Sequence, residues 1–393
     1  MMSKNKILFS DFITIDGEVS FTYTETNSEG ENLSSNRIYF NLFPAIKPRP
    51  DLIALAISTL CAKTYSSIHF DTNVSESIID AISKFTSAVV TASFSFDNSY
   101  QRKIRNNVTL NFSGGFDSLA AKCLMPENTN LVSMDFGGRF SRERRFFENF
   151  DTCIVSTNLL ETPLKSNSWS MMGIASILYS DYLATDFHTF GSIFEVSPNN
   201  FTDYPVAARN NSFPPFLAAG MENAPYVLGL TEVGTLKVIG HYEPDLIAPS
   251  LDSLADPVEE KRYRKQVLSL IASEKAKRDY NLTIIDTPPR PHFKFGQNLS
   301  ADFLSLYIIK HAGLDIASHT IMDIPDEVVK AADNLSLLFY ERLNTNFIEN
   351  FPKELVGGLL SNLGNAGVIP FTPDDWKEYY QVRELMSKYH ELK

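Results

Sequence analysis

Residues 108–125 constrain this chain more than any other stretch. An apolar run of strand formers, Val-Thr-Leu-Asn-Phe, leads into Ser113, Gly114, Gly115, Phe116, Asp117 and Ser118, and an Ala- and Leu-rich segment leads away. That order predicts a strand over 108–112, a tight loop, and a helix over 118–125. The first amides of such a helix have no intrahelical acceptor, the macrodipole adds partial positive charge, and glycines let an anion approach closely. A phosphate suits the junction, with hydroxyls of Ser113 and Ser118 as extra donors. Asp117 has the wrong sign for phosphate and the right one for a magnesium ion bridging to it. The plainer alternative is an ordinary strand-to-helix turn in which Asp117 complements the dipole.

Strands and helices alternate beyond this point. Strands are expected over 130–136, 152–156 and 188–194, with helices over 141–150 and 169–183, a pattern of βαβ units and a parallel sheet. Ligands of such sheets collect at the carboxyl ends of strands, where Ser113, Asp135 and Gly191 would lie. Upstream, short apolar runs over 7–42 separated by turn residues predict a small antiparallel sheet. Residues 51–63 and 75–85 have the capping and spacing of helices. The polar segment 98–107 marks a boundary. A loop-rich stretch follows Glu195, a charged helix starts near 257, a proline-rich joint occupies 287–291, and the chain from 300 onward reads as mostly helical. The expectation is an α/β fold: an N-terminal α+β domain over 1–105, a three-layer parallel-sheet nucleotide domain over 106–285, and a helical region over 286–393.

The net charge of −12 over 393 residues argues against broad binding to nucleic acid or to an anionic membrane. Cys61, Cys123 and Cys153 are too few and too scattered for a disulfide framework, which points to a reducing, cytoplasmic setting. No apolar stretch has the length of a signal peptide or a membrane span.

The Ser-Gly-Gly-x-Asp-Ser pattern after a strand resembles the signature loop of the PP-loop ATP pyrophosphatases, the adenine nucleotide α-hydrolase-like proteins that cleave ATP between the α and β phosphates. No Gly-Lys-Ser/Thr follows, so it is not a Walker A loop. A second segment, Asp135-Phe-Gly-Gly-Arg139-Phe-Ser-Arg-Glu143, is similar to the Asp-Tyr-Gly-Gln-Arg-His-x-x-Glu segment of 7-cyano-7-deazaguanine synthases, with Gly138 and Phe140 departing from it. The resemblance implies a HUP/Rossmann-like domain with ATP and Mg²⁺ as cofactors. It places nucleotide on Ser113, Gly114, Gly115, Phe116, Asp117, Ser118, Asp135 and Gly191, and the metal on Asp117. It gives Arg139 a phosphate or carboxylate to hold, and it puts Lys237 near a Ser-Lys pair that contacts phosphate in related enzymes. Arg142, Arg144 and Arg145 read as the solvated face of a helix. Glu195, after the glycine of the fourth strand end, fits a pocket wall and an exposed loop equally well.

The chain departs most from those synthases in metal chemistry. Their C-terminal zinc site needs clustered cysteines, and no cysteine follows Cys153. His241, His292, His311, His319 and His390 are too dispersed to replace them, so no zinc site is expected. The family's substrate-contacting Arg-Asn pair does not transfer either, because Arg209 and Asn210 fall after the strand it should precede.

The function expected is ATP-dependent adenylation of a carboxylate or carbonyl on a small-molecule or protein acceptor, releasing pyrophosphate, with ammonia or an amine then displacing AMP. The alternative is a non-catalytic nucleotide-binding subunit of a bacterial defence or modification system, with the N-terminal domain docking a partner protein.

Overall fold

The computed structural model describes residues 5–96, 105–255, 259–288 and 290–392. The boundary expected at 98–107 lies largely outside them, as does the start of the charged helix expected near 257. In chain order the elements are β1 (Lys6–Ile15), β2 (Glu18–Thr26), β3 (Asn32–Phe43), α1 (Pro50–Ser58), β4 (Ser67–Ser75), α2 (Glu76–Thr86), β5 (Val89–Phe96), β6 (Asn107–Asn111), α3 (Phe116–Leu124), β7 (Asn130–Asp135), α4 (Ser141–Phe147) and β8 (Thr152–Thr157). They continue as α5 (Ile174–Tyr179), β9 (Thr185–Phe190), α6 (Pro214–Ala218), β10 (Glu222–Asn223), α7 (Glu232–Tyr242), α8 (Ile247–Leu254), α9 (Glu260–Ala276), α10 (Leu299–Ala312), α11 (Leu314–Ser318), α12 (Asp326–Asn334), α13 (Lys353–Asn365) and α14 (Pro373–Ser387). Two compact units form. One holds residues 1–113, 127–189 and 211–223, the other 114–126, 190–210 and 224–393.

The first unit is built on a ten-stranded mixed sheet in the order β10-β9-β6-β7-β8-β3-β2-β1-β4-β5, which makes the fold α/β. Parallel pairings join β1 to β4, β4 to β5, β6 to β7, β7 to β8 and β9 to β10, while β1–β2, β2–β3 and β3–β8 are antiparallel. The N-terminal strands are therefore not a separate small sheet. β3 pairs with β8 from Phe40 opposite Thr157 to Phe43 opposite Ile154 and carries the sheet onward. The strands β4 and β5, which flank α2, extend it to the far edge.

Alternation sets which residues of β3 are inside. Ile38, Phe40 and Leu42 are buried while Arg37, Tyr39, Asn41 and Phe43 face solvent. On the buried side one aromatic row crosses four neighbouring strands: Phe70 stacks on Phe9 at 5.4 Å, Phe9 meets Phe21 edge-on at 5.7 Å, and Phe21 meets Phe40 at 5.8 Å. Rings in these arrangements add to the area they bury. Buried Asp51 of α1 accepts from the backbone and the hydroxyl of Ser75, the N-cap of α2, and pairs with Arg49, whose Nε lies 2.7 Å from Asp181 just beyond α5. Helices α4 and α5 pack on β7, and α1 and α2 on β4.

The stretch 169–183 is not one helix. A 3-10 turn at Trp169–Gly173 precedes the short α5, and β9 comes earlier than expected, so Gly191 stands just past its end. In the second unit α3 packs on α7, α7 on α9, and α10 on α11, α12 and α14, which agrees with a mostly helical C-terminal region. Among the described residues no helix is long and apolar enough to cross a membrane.

Phe21 occupies the middle of the aromatic row and is fully buried, whereas Phe94 on β5 is 59 % exposed. Phe21→Ala is expected to lower the unfolding free energy by about 3–5 kcal/mol and Phe94→Ala by about 0.5 kcal/mol or less. Denaturant titration of both variants checks the difference.

Candidate functional site

At the carboxyl end of β6 the first unit ties neighbouring strands together. Asn111 Nδ2 donates to the carbonyl of Thr189 at 3.0 Å, and Ser133 Oγ donates to the carbonyl of Phe112 at 2.7 Å. Ser113 follows and is exposed. Gly114 then takes φ +82°, a left-handed conformation that favours glycine, and its carbonyl accepts from Ser250 Oγ at 2.7 Å. Gly115 is the N-cap of α3, its carbonyl accepting from the Leu119 amide and from Ser118 Oγ. The helix begins two residues earlier than the sequence predicts, so Phe116 and Asp117 lie in its first turn. Among the described residues no acceptor takes the amide hydrogens of Phe116 and Asp117.

Gly191 lies flat against that turn. A Cβ on it would stand 2.4 Å from the Ser118 nitrogen and 2.7 Å from the Asp117 carbonyl carbon, so only glycine fits without moving backbone. Gly191 and the residues of α3's first turn are thereby brought together within the second unit.

Behind them sits a buried set of charges. The first turn of α7, capped by Thr231, presents Glu232, whose amide donates to Glu195 Oε1 at 2.8 Å. Lys265 of α9 donates to Glu232 Oε1 at 2.7 Å and lies 5.0 Å over the ring of Phe116. Thr235 Oγ1 is 3.4 Å from Asp117 Oδ1. Glu195, Glu232 and Lys265 are 2 %, 5 % and 4 % exposed, while Asp117 keeps a partial solvent face.

Burial and the neighbouring cations grade these carboxyls. Burial pushes Asp117 up to about 6, with Lys265 pulling against it and Glu232 adding to it. Glu195 is pushed up to about 8, chiefly by burial, and Oε2 has no hydrogen-bond partner among the described residues. Burial also disfavours the charged form of Glu232, but Lys265, Arg264 and Lys261 outweigh it and hold that carboxyl below the usual range. Lys265 is held above the ordinary lysine value, because Glu232 and Asp117 more than offset its desolvation.

Of the remaining expected site residues, Asp135 and Arg139 belong to the first unit and Lys237 to the second. Asp135 ends β7 in the first unit with its carboxylate engaged by the protein, accepting from Gly137 N at 3.0 Å, Ser156 Oγ at 2.9 Å and Arg144 Nη1 at 2.5 Å. Arg144, itself exposed, is thus also the partner of a buried carboxylate. Arg139 is exposed in the turn after β7, its guanidinium 4.8 Å over the ring of Phe140. Lys237, on α7, points to Glu341 at 3.9 Å, and the cations acting on Asp117 are Lys265 and Lys261. No group of three or more metal-ligating side chains forms among the described residues. Glu232, Thr235 and Lys265 are the members that sequence reasoning passed over; the Thr231 cap before an acidic first turn was the one local signal.

Glu195 generates a pH dependence of fixed sign. Its folded value near 8 exceeds the ordinary carboxyl value of 4.5, so the folded state binds the extra proton between these limits and stability falls as pH rises through them. Glu195→Gln keeps the acceptor for the Glu232 amide and removes the titration. The variant is expected to lose less thermal stability than the parent between pH 6 and pH 9, measured as the midpoint across a pH series, and parallel profiles would contradict the assignment. Comparison of the chain with protein-family models, with curated proteins and with solved structures returns no match.

Proposed function

We propose that this chain is an ATP-dependent adenylating enzyme of the PP-loop pyrophosphatase type, cleaving ATP to AMP and pyrophosphate to activate a carboxylate or carbonyl for attack by ammonia or an amine. The observation that carries this reading is the seating of Gly191 on the first turn of α3. It gathers the segments leaving β6 and β9 at one helix N-terminus, with the Asp117 carboxylate beside it. The order of β8, β7, β6, β9 and β10 supports it. Taken in sequence it is 3-2-1-4-5, the doubly wound order of a HUP/Rossmann-like domain, whose ligands bind where the order reverses, here between β6 and β9.

In this reading the amides of the first turn and the glycines of the loop bind the phosphate tail and orient it. Lys265, behind Phe116, keeps Asp117 ionised against its burial at neutral pH. Mg²⁺ takes one or two protein carboxylates when phosphate oxygens supply its other ligands. A single partly exposed carboxylate at the phosphate loop meets that requirement, so Asp117 would hold the ion, which supplies positive charge to the pyrophosphate leaving group. Arg139, on the first unit, is assigned a phosphate or carboxylate by its planar fork. The protein's share of such chemistry is position and charge.

The reading is tested by incubating the protein with Mg-ATP, ammonia and a panel of carboxylic acids, deazaguanine carboxylates among them, and assaying AMP and pyrophosphate. Asp117→Ala is expected to lower pyrophosphate release by about two orders of magnitude with the fold intact by circular dichroism. ATP binding without turnover under every acceptor would favour a non-catalytic nucleotide-binding subunit, and absence of ATP binding would overturn both readings.

A further inference from the structure

The face of α7 turned away from Asp117 lines a cavity. Val233, Lys237, Gly240 and His241 recur at helical spacing along that face, and α9, α10 and the segment around Glu341 complete a space of about 500 Å³. Its floor is aromatic and small. Tyr280 and Tyr307 are buried, and a Cβ at Gly240 would lie 2.3 Å from Tyr280 Oη, so the glycine lets that ring lie against the helix.

The charge of this cavity opposes that of the chain. Lys237, Lys275 and Arg278 face Glu341, leaving an excess of two positive charges in a protein of net charge −12. Exposed Asp245 meets Arg278 from outside at 3.4 Å, and one positive charge remains in excess even when it is counted. The ammoniums converge: Lys237 Nζ stands 3.9 Å from Glu341 Oε2, while Lys275 bonds Oε1 of the same carboxylate. Lys275 is further fixed by the His311 ring at 3.2 Å and by the Tyr307 ring at 5.1 Å, and burial together with Lys275 holds His311 down at about 4, neutral at physiological pH. Tyr307 donates to Glu341 at 2.9 Å, so the carboxylate already has its donors. Lys237 and Arg278 keep partly exposed heads at the opening.

We propose that this cavity binds a small phosphate monoester, its dianionic head between Lys237, Lys275 and Arg278 and its organic part against Tyr280 and Tyr307. The volume is that of a small-molecule site with few convergent polar groups. Two ammoniums that converge on the Glu341 carboxylate, with a guanidinium lining the same cavity, leave positive charge in excess for a compact dianion, because the guanidinium fork and the ammonium point charges both match phosphate oxygens. Asp117 and Lys265 belong to the opposite face of α7, so the two sites can be tested separately.

The test is isothermal titration of the full chain with orthophosphate and ribose 5-phosphate, with ribose as the uncharged control. Saturable binding of the phosphate probes at one site is expected, without binding of ribose. Lys237→Ala and Arg278→Ala, at partly exposed positions that leave the fold in place, are each expected to weaken it about tenfold or more, as loss of a charge-assisted bond does, while Asp117→Asn leaves it unchanged. Absence of saturable binding, parental affinity in either cavity variant, or loss of binding in Asp117→Asn would overturn the proposal.

Discussion

One buried ammonium sets the electrostatics of the second unit. Lys265 is out of water, and such a charge is tolerated only with close compensation. Glu232 provides it, which explains why a carboxylate stands in the buried first turn of α7. Its influence then falls off across the neighbouring acids. Glu232 is charged, Asp117 titrates near 6, and Glu195, bonded to an amide rather than to a cation, holds its proton to about 8. Three neighbouring carboxyls, differently placed with respect to Lys265 and Lys261, are shifted to three different extents.

Close backbone approach is the second constraint. Gly191 touches the first turn of α3 where no Cβ fits, and Gly114 adopts a conformation that side chains avoid. These glycines fix where α3 starts. The loop is then short enough for the amides of Phe116 and Asp117 to find no acceptor among the described residues, since Gly115 offers no side-chain cap.

The strand, loop and helix around Gly114 were legible because local chemistry dictates them: strand formers, glycines and helix formers stand in series. The strands β6 to β8 were legible within a residue or two for the same reason. The extent of the sheet was not. β3 pairs with β8 across more than a hundred residues, and such pairing leaves no local mark in either strand. Polar-looking β4, with Asp71, Thr72 and Asn73 amid its apolar positions, gave no clear alternation. Lys265 and Glu232 escaped notice because a charged residue in a sequence reads as solvated, and only tertiary structure shows that each is buried with the other. Arg144 is exposed as expected, and only its pairing with Asp135, the buried end of β7, was not legible. Asp117, by contrast, was identifiable by position alone, in the first turn after the glycines.

Crystallography of the protein with Mg²⁺ and an ATP analogue that carries a methylene bridge between its α and β phosphates is the most direct test of the account. Phosphate oxygens should lie within hydrogen-bonding distance of the amides of Phe116 and Asp117, with Gly191 unmoved against the first turn of α3. An analogue seated elsewhere, or a soaked crystal whose loop amides are taken up by protein groups and whose phosphates stay in solvent, would contradict it.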